Sequence, residues 1–181
     1  MKGWLIVNGF LNSEKFEEIY DWLIKAALQQ GIELRKLTND QVGSILPISP
    51  KNTSWKENPD FAINRSRNYE VALMLEEAGV KVFNSSKVTK IANNKEETFK
   101  YLDGTVEYMP FFNRENKEKI NYPCIIKSVS GHGGSQVFMA NNEEEAHNIE
   151  EILKDVKYIY QECSTDLGKD VRVYIVGNNK V

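Results

Sequence analysis

The sequence predicts an α/β protein in two parts, a parallel βαβ domain followed by a smaller α+β lobe. Three observations carry this. Gly3 to Val7 (GWLIV) is a short apolar run that passes through Asn8-Gly9 into a stretch of helical period, and a second apolar run follows. Strand-like and helix-like segments then alternate as far as Ala92, where the pattern changes. Beyond it, Tyr122 to Gln136 (YPCIIKSVSGHGGSQ) reads as strand, glycine loop and strand rather than as a strand opening a helix.

In chain order, Gly3 to Val7 is a buried strand. Ser13 is placed to cap a helix whose apolar positions Phe16, Ile19, Tyr20, Leu23 and Ala27 recur at helical spacing, and Gly31 ends it. Ile32 to Leu37 is the second strand, so the unit predicts parallel pairing with a right-handed crossover. Pro47 to Pro59 holds three of the five prolines and reads as an irregular loop. Asp60 to Ile63 is a third strand, followed by Asn64-Arg65-Ser66-Arg67 and a helix from Tyr69 to Ala78 closed by Gly79. Arg65 and Arg67 thus fall at a strand's carboxyl end, the edge where open parallel sheets bind ligands; the plainer alternative is a pair of solvated arginines at a helix start.

Val80 to Phe83 is a fourth strand, and Asn84-Ser85-Ser86 caps a helix from Lys87 to Ala92. Asn93 and Asn94 break that helix and cap another, with Lys95 in its first turn. These features divide the chain into a domain at 1–92, a lobe at 93–168, and the first strand of a further lobe at 169–181. Thr105 to Phe112 is β-prone with Pro110 marking an edge, and Asn113 to Asn121 is a charged connector. Asn141 or Asn142 caps a helix with Glu143, Glu144 and Glu145 in its first turn, and Tyr158 to Cys163 and Asp170 to Val176 are strands.

Composition narrows the function classes. The chain has 181 residues, 41% of them hydrophobic and 10% aromatic, enough for a real core. A net charge of -3 without a basic run argues against nucleic acid as a partner. Cys124 and Cys163, with only His132 and His147 beside them, make neither a disulfide framework nor a zinc site, which suits a reducing cytoplasm. No run approaches the roughly 18 apolar residues of a membrane span, so no membrane partner is expected.

The glycine loop carries the chemistry. Lys127 leaves the end of Pro123 to Ile126, and Gly131, Gly133 and Gly134 let backbone amides turn toward an anion. The lysine precedes the glycines and a strand follows them, so this is neither a Walker A loop nor a Rossmann fingerprint. The residues alone leave two readings open, a phosphate cradle and a glycine-rich hairpin with an exposed lysine.

Taken together, the N-terminal α/β domain, Asn94-Lys95, Pro123 to Lys127, the SGHGG loop, YIYQEC and DVRVYIVG resemble the ATP-grasp enzymes, and most of all the RimK-type carboxylate-amine ligases. The resemblance spans nearly the whole chain and implies a pre-ATP-grasp domain followed by the first α+β lobe of an ATP-grasp fold. It implies that Lys95 and Lys127 are the two ATP lysines, with Asn94 where Asp is usual, and that Ser130, Gly131, Gly133 and Gly134 belong to the phosphate-covering loop. Gln161, Glu162 and Cys163 match the strand whose backbone meets adenine, and Asp166 the ribose-binding carboxylate, more often Glu in the family. Asp170 and Arg172 match an Asp-x-Arg strand whose arginine faces the active site, so Arg172 is the implied catalytic residue.

The implied activity is ATP-dependent ligation. A substrate carboxylate takes the γ-phosphate to form an acylphosphate, which an amine then attacks, with ATP and Mg²⁺ as cofactors. The family's metal ligands lie in a C-terminal lobe past the position of Val181, so no metal residue is assigned here. A fragment of a longer ligase is therefore expected, inactive alone, with a last strand that another copy could pair in a homo-oligomer. The competing reading is a non-catalytic nucleotide-binding or protein-interaction module.

Overall fold

The computed structural model describes residues 1–10, 13–45, 59–131, 134–166, 168, 169, 171 and 173. It forms two compact units, Met1–Tyr101 and Leu102–Val181.

In the first unit, β1 (Lys2–Val7), β2 (Glu33–Thr38), β3 (Phe61–Asn64) and β4 (Lys81–Phe83) make a parallel sheet of order β2-β1-β3-β4. β1 is buried on both faces because its side chains alternate between two cores. Leu5 and Val7 pack with Tyr20 of α1 (Glu14–Gln29), while Trp4 and Ile6 pack with Val42 of α2 (Asn39–Ile45) and with Val71, Ala72 and Leu75 of α3 (Tyr69–Glu77). A parallel strand covered on both sides reads as an unbroken apolar run, and GWLIV is one. Gly3 is required by its neighbour, since an added Cβ would come within 2.5 Å of the Phe61 ring.

The punctuation works as the residues suggest. The Ser13 hydroxyl accepts from the Phe16 amide, Gly31 and Gly79 take positive φ at the ends of α1 and α3, and Ser85 caps α4 (Ser86–Ala92). Asn94 accepts from the Glu97 amide at 3.0 Å and starts α5 (Lys95–Leu102). The short helix α2 was not anticipated, because a seven-residue segment with Asn, Asp, Gly and Ser carries little helical pattern.

The second unit is an antiparallel sheet of order β5-β8-β6-β7, from β5 (Phe111–Phe112), β6 (Cys124–Ser128), β7 (Val137–Ala140) and β8 (Tyr158–Glu162). One face, with Cys124, Ile126, Ala140, Tyr158 and Tyr160, is covered by Ala146 and Ile149 of α6 (Glu143–Ile152) and by Leu153, its C-cap. Asn142 caps α6 by accepting from the Glu145 amide.

Two expectations need correction here. Of the β-prone stretch Thr105 to Phe112 only Phe111–Phe112 is strand, because a turn at Gly104 (φ 71°) takes the Val106 amide onto the Leu102 carbonyl and Pro110 has no amide to donate. The charged connector is instead a 3₁₀ helix, Arg114–Lys119. The loop at 46–58, His132, Gly133, and Asp170, Arg172 and Tyr174 of the last strand lie outside the described residues.

Candidate functional site

The site begins with the period of β6. Cys124, Ile126 and Ser128 face α6, so Ile125 and Lys127 must face the other way. Register then decides who joins them. Ile125 pairs with Met139 and Gln161, and Lys127 with Val137 and Ile159, while Phe111 stands opposite Gln161. Around Lys127 and Gln161 this second face is apolar. Val137 and Met139 are 44% and 46% exposed, an unusual openness for two large apolar residues in one strand.

Lys127 and Gln161 are diagonal neighbours across β6 and β8, and the ammonium donates to Gln161 Oε1 at 2.5 Å. The same amide is held at its other end, since Gln161 Nε2 donates to the Met109 carbonyl at 2.9 Å. Gln161 therefore orients a half-buried lysine, and Met109 orients Gln161.

The loop joining β6 to β7 is closed at its base by Ser128 N donating to Gln136 O at 3.1 Å and by Val129 N donating to Lys157 O at 2.8 Å. Gly131 passes directly over Ser128: a Cβ there would collide with the Ser128 hydroxyl and lie 2.8 Å from Gln136 Oε1. Gly134 adopts φ 76°, open to glycine at no cost. Ser130 and Gly134 are exposed on the loop. Two different constraints thus demand two of the glycines, close approach at Gly131 and a left-handed turn at Gly134.

At the carboxyl end of β8, Glu162 pairs with Cys124 and its amide donates to Pro110 O at 3.0 Å. Cys163 follows, half-buried. Burial, with a contribution from Cys163, pushes the Cys124 thiol up to about 11, so Cys124 stays protonated and inert. Asp166 is exposed and ion-paired with Lys169 at 2.7 Å, a contact weak enough to yield to a ligand. Lys95 belongs to the first unit, where it is half-buried in the first turn of α5 and burial lowers its ammonium.

The structure brings Lys127 and Gln161 together, sets Ser130, Gly131 and Gly134 on the loop that follows β6, and places Glu162 at the end of β8 with Cys163 just beyond it. Gly133 and Arg172 lie outside the described residues. Sequence reasoning missed the apolar platform of Ile125, Val137 and Met139 and the supports Met109 and Ser128. The unbroken apolar run from Val137 to Ala140, which makes both faces of a strand apolar, is the available signal. A separate groove of about 530 Å³ lies on the α6 side, lined in part by Lys117, Tyr122, Glu143, His147 and Glu150, away from the loop. Among the described residues no group of three or more His, Cys, Asp or Glu is arranged to hold a metal ion, and no helix is long and apolar enough to cross a membrane.

The chain is similar to known proteins in sequence and in fold. The family model of the RimK-like ATP-grasp domain matches residues 86–181. Human N-acetylaspartylglutamate synthase A is 28% identical over 204 aligned residues, covering 95% of this chain and 52% of that protein. Human beta-citrylglutamate synthase B is 27% identical over 120 residues, covering 59% of this chain and 31% of that protein. The chain thus spans about half the length, or less, of these curated relatives. Among solved structures, the RimK domain ATP-grasp protein of Sphaerobacter thermophilus superposes with a TM-score of 0.62 at 19% identity, over 90% of this chain and 64% of that one. The ADP complex of purK, an N5-carboxyaminoimidazole ribonucleotide synthetase, gives 0.68 at 11% identity, over 90% and 46%. These two likenesses show the fold, and because the family model spans more than half of the residues, the chain belongs to the RimK-like ATP-grasp family.

Proposed function

We propose that this chain carries the ATP-binding portion of a ligase that activates a carboxylate as an acylphosphate and joins it to an amine. The observation that carries the reading is the Lys127–Gln161 contact, a cation held at 2.5 Å on an open apolar sheet face, at the end of β6 where the glycine loop begins. ATP fits this donor set: an ammonium and loop amides suit phosphate oxygens, and the Ile125, Val137 and Met139 surface suits a flat base. ATP would supply the phosphoryl group that turns the carboxylate into an acylphosphate, a mixed anhydride from which phosphate leaves as the amine forms the C–N bond.

The residues divide the remaining work. Lys127 and Lys95 neutralise phosphate charge, and the amides of Ser130, Gly131, Gly133 and Gly134 cover the phosphates and exclude water. Backbone of Gln161 to Cys163 meets the base edge, and Asp166 takes the ribose hydroxyls on leaving Lys169. Arg172 stabilises charge at the reacting carboxylate. In this reading 1–92 is the pre-ATP-grasp domain, 93–168 the first ATP-grasp lobe, and 169–181 opens the next. Among the described residues no group of three or more His, Cys, Asp or Glu is placed to hold Mg²⁺.

The names of the two human relatives, N-acetylaspartylglutamate and beta-citrylglutamate synthases, point to an acidic carboxylate and an amino acid such as glutamate as the substrates. The compartment proposed is the cytoplasm, consistent with two unpaired cysteines.

Calorimetry with ATP and Mg²⁺ on this chain tests the reading. Saturable binding, weakened at least about tenfold by Lys127→Ala, or about 1.4 kcal/mol, is expected. Absence of binding at millimolar ATP, or equal binding by the variant, overturns it in favour of a protein-interaction module.

A further inference from the structure

The first unit holds a second assembly of polar groups, at the carboxyl edge of its parallel sheet. The order β2-β1-β3-β4 sends the chain from β1 to β2 on one side while β3 lies on the other, so the β1 and β3 ends flank a topological switch point. Asn8 and Gly9 follow β1 there, and residues 64–68 pass the end of β3.

Four polar side chains are sunk beneath this edge: Asn8, Asn64, Ser66 and Thr89, exposed by 5%, 1%, 6% and 4%. Such burial is costly unless every group is bonded, and here each one is. Asn64 Nδ2 donates to Thr89 Oγ1 at 3.2 Å, and Ser66 donates to Asn64 Oδ1 from its hydroxyl at 2.7 Å and its amide at 3.0 Å. Arg67 N donates to Asn8 Oδ1 at 3.0 Å, and Arg65 N to the Ile6 carbonyl at 2.8 Å. The network therefore clamps the backbone of two arginines across the β1–β3 boundary.

The guanidiniums themselves are not consumed by the fold. Arg65 is exposed and Arg67 half-buried, and neither forms an ion pair with a described carboxylate. The first amides of α3 are already capped by Asn68 Oδ1, so the positive charge a ligand meets here comes from the two side chains. Asp40 stands at Gly9, on the β2 side, and biases an anion toward the β3 side.

We propose that this edge is a subsite for a substrate bearing more than one carboxylate, with Arg65 and Arg67 gripping a carboxylate other than the one that reacts. Arginine's planar fork suits a carboxylate in two-point contact. The inference rests on the ligase reading for its purpose, but the binding stands or falls separately.

The test is an amide NMR titration of the full chain with citrate, succinate and acetate, run without Mg²⁺ because citrate chelates it, and a parallel titration with ATP. Expected are saturable citrate shifts at Gly9 and at residues 65–68, with acetate at least tenfold weaker. Arg65→Gln/Arg67→Gln abolishes those shifts and leaves ATP shifts at Gly131 and Gly134 intact, while Arg65→Lys/Arg67→Lys keeps the charge and still loses severalfold in affinity. Citrate shifts that persist in the glutamine variant, or that match acetate, overturn the subsite. ATP shifts absent while the citrate site survives overturn the ligase reading and leave a polycarboxylate-binding edge.

Discussion

Glu150 is a buried acid, 8% exposed, and it ties three elements of the second unit together. From α6 it accepts a bond from Lys117 Nζ of the 3₁₀ helix at 2.8 Å and another from the Tyr160 hydroxyl of β8. Glu150→Ala removes both. Tyr160 is 1% exposed, so its orphaned hydroxyl costs about 1–3 kcal/mol. Lys117 is 49% exposed and rehydrates, so its loss adds only about 0.2–1 kcal/mol. The sum, roughly 1–4 kcal/mol, corresponds to about eightfold to several hundredfold in the opening equilibrium, read as faster hydrogen exchange at the Ile126 and Tyr160 amides. The pH dependence is a second signature. Burial alone would raise the Glu150 carboxyl, but Lys117 and Tyr160 outweigh it and hold the group below its ordinary value. A depressed folded pKa gives stability that is complete above the unfolded value near about 4.3 and is lost as pH falls through the folded value. The gap between wild type and Glu150→Gln should therefore be full at neutral pH and close below about pH 4. Exchange less than about threefold faster in Glu150→Ala, or a gap that widens in acid, would refute the reasoning.

Gly131→Ala places a methyl on the Ser128 hydroxyl, and Ser128 is 2% exposed with nowhere to go, so overpacking costs about 1–3 kcal/mol and weakens ATP binding. Adding Ser128→Ala to that variant should recover part of the loss, measured by calorimetry and by denaturant unfolding as a coupling energy near 1 kcal/mol; strictly additive losses would place the collision elsewhere. Because the Cys124 thiol is pushed up to about 11 and is buried, iodoacetamide at pH 8 should modify Cys163 well before Cys124, as peptide mass analysis will show; equal rates would contradict the burial of β6.

Much of this protein was legible in the sequence because its signals are local. GWLIV followed by the helical stripe from Phe16 to Ala27 has one good solution, a parallel strand buried on two faces, and Ser13, Gly31, Gly79 and Asn94 punctuate it where capping and positive φ require. The lysine ahead of three glycines, with a strand after them, likewise excluded the helix-opening nucleotide loops. What the sequence could not specify depends on register. Lys127 and Gln161 are 34 residues apart, and a one-residue slip of β8 against β6 would put Gln161 on the α6 face, away from the lysine. Only the paired sheet decides that Val137 and Met139 form an open platform beside them, that Ser128 lies beneath Gly131, and that Asn8 reaches across from β1 to hold Arg67. Side-chain chemistry and period are written residue by residue, whereas a site is made by contacts between distant strands, and those are settled by packing.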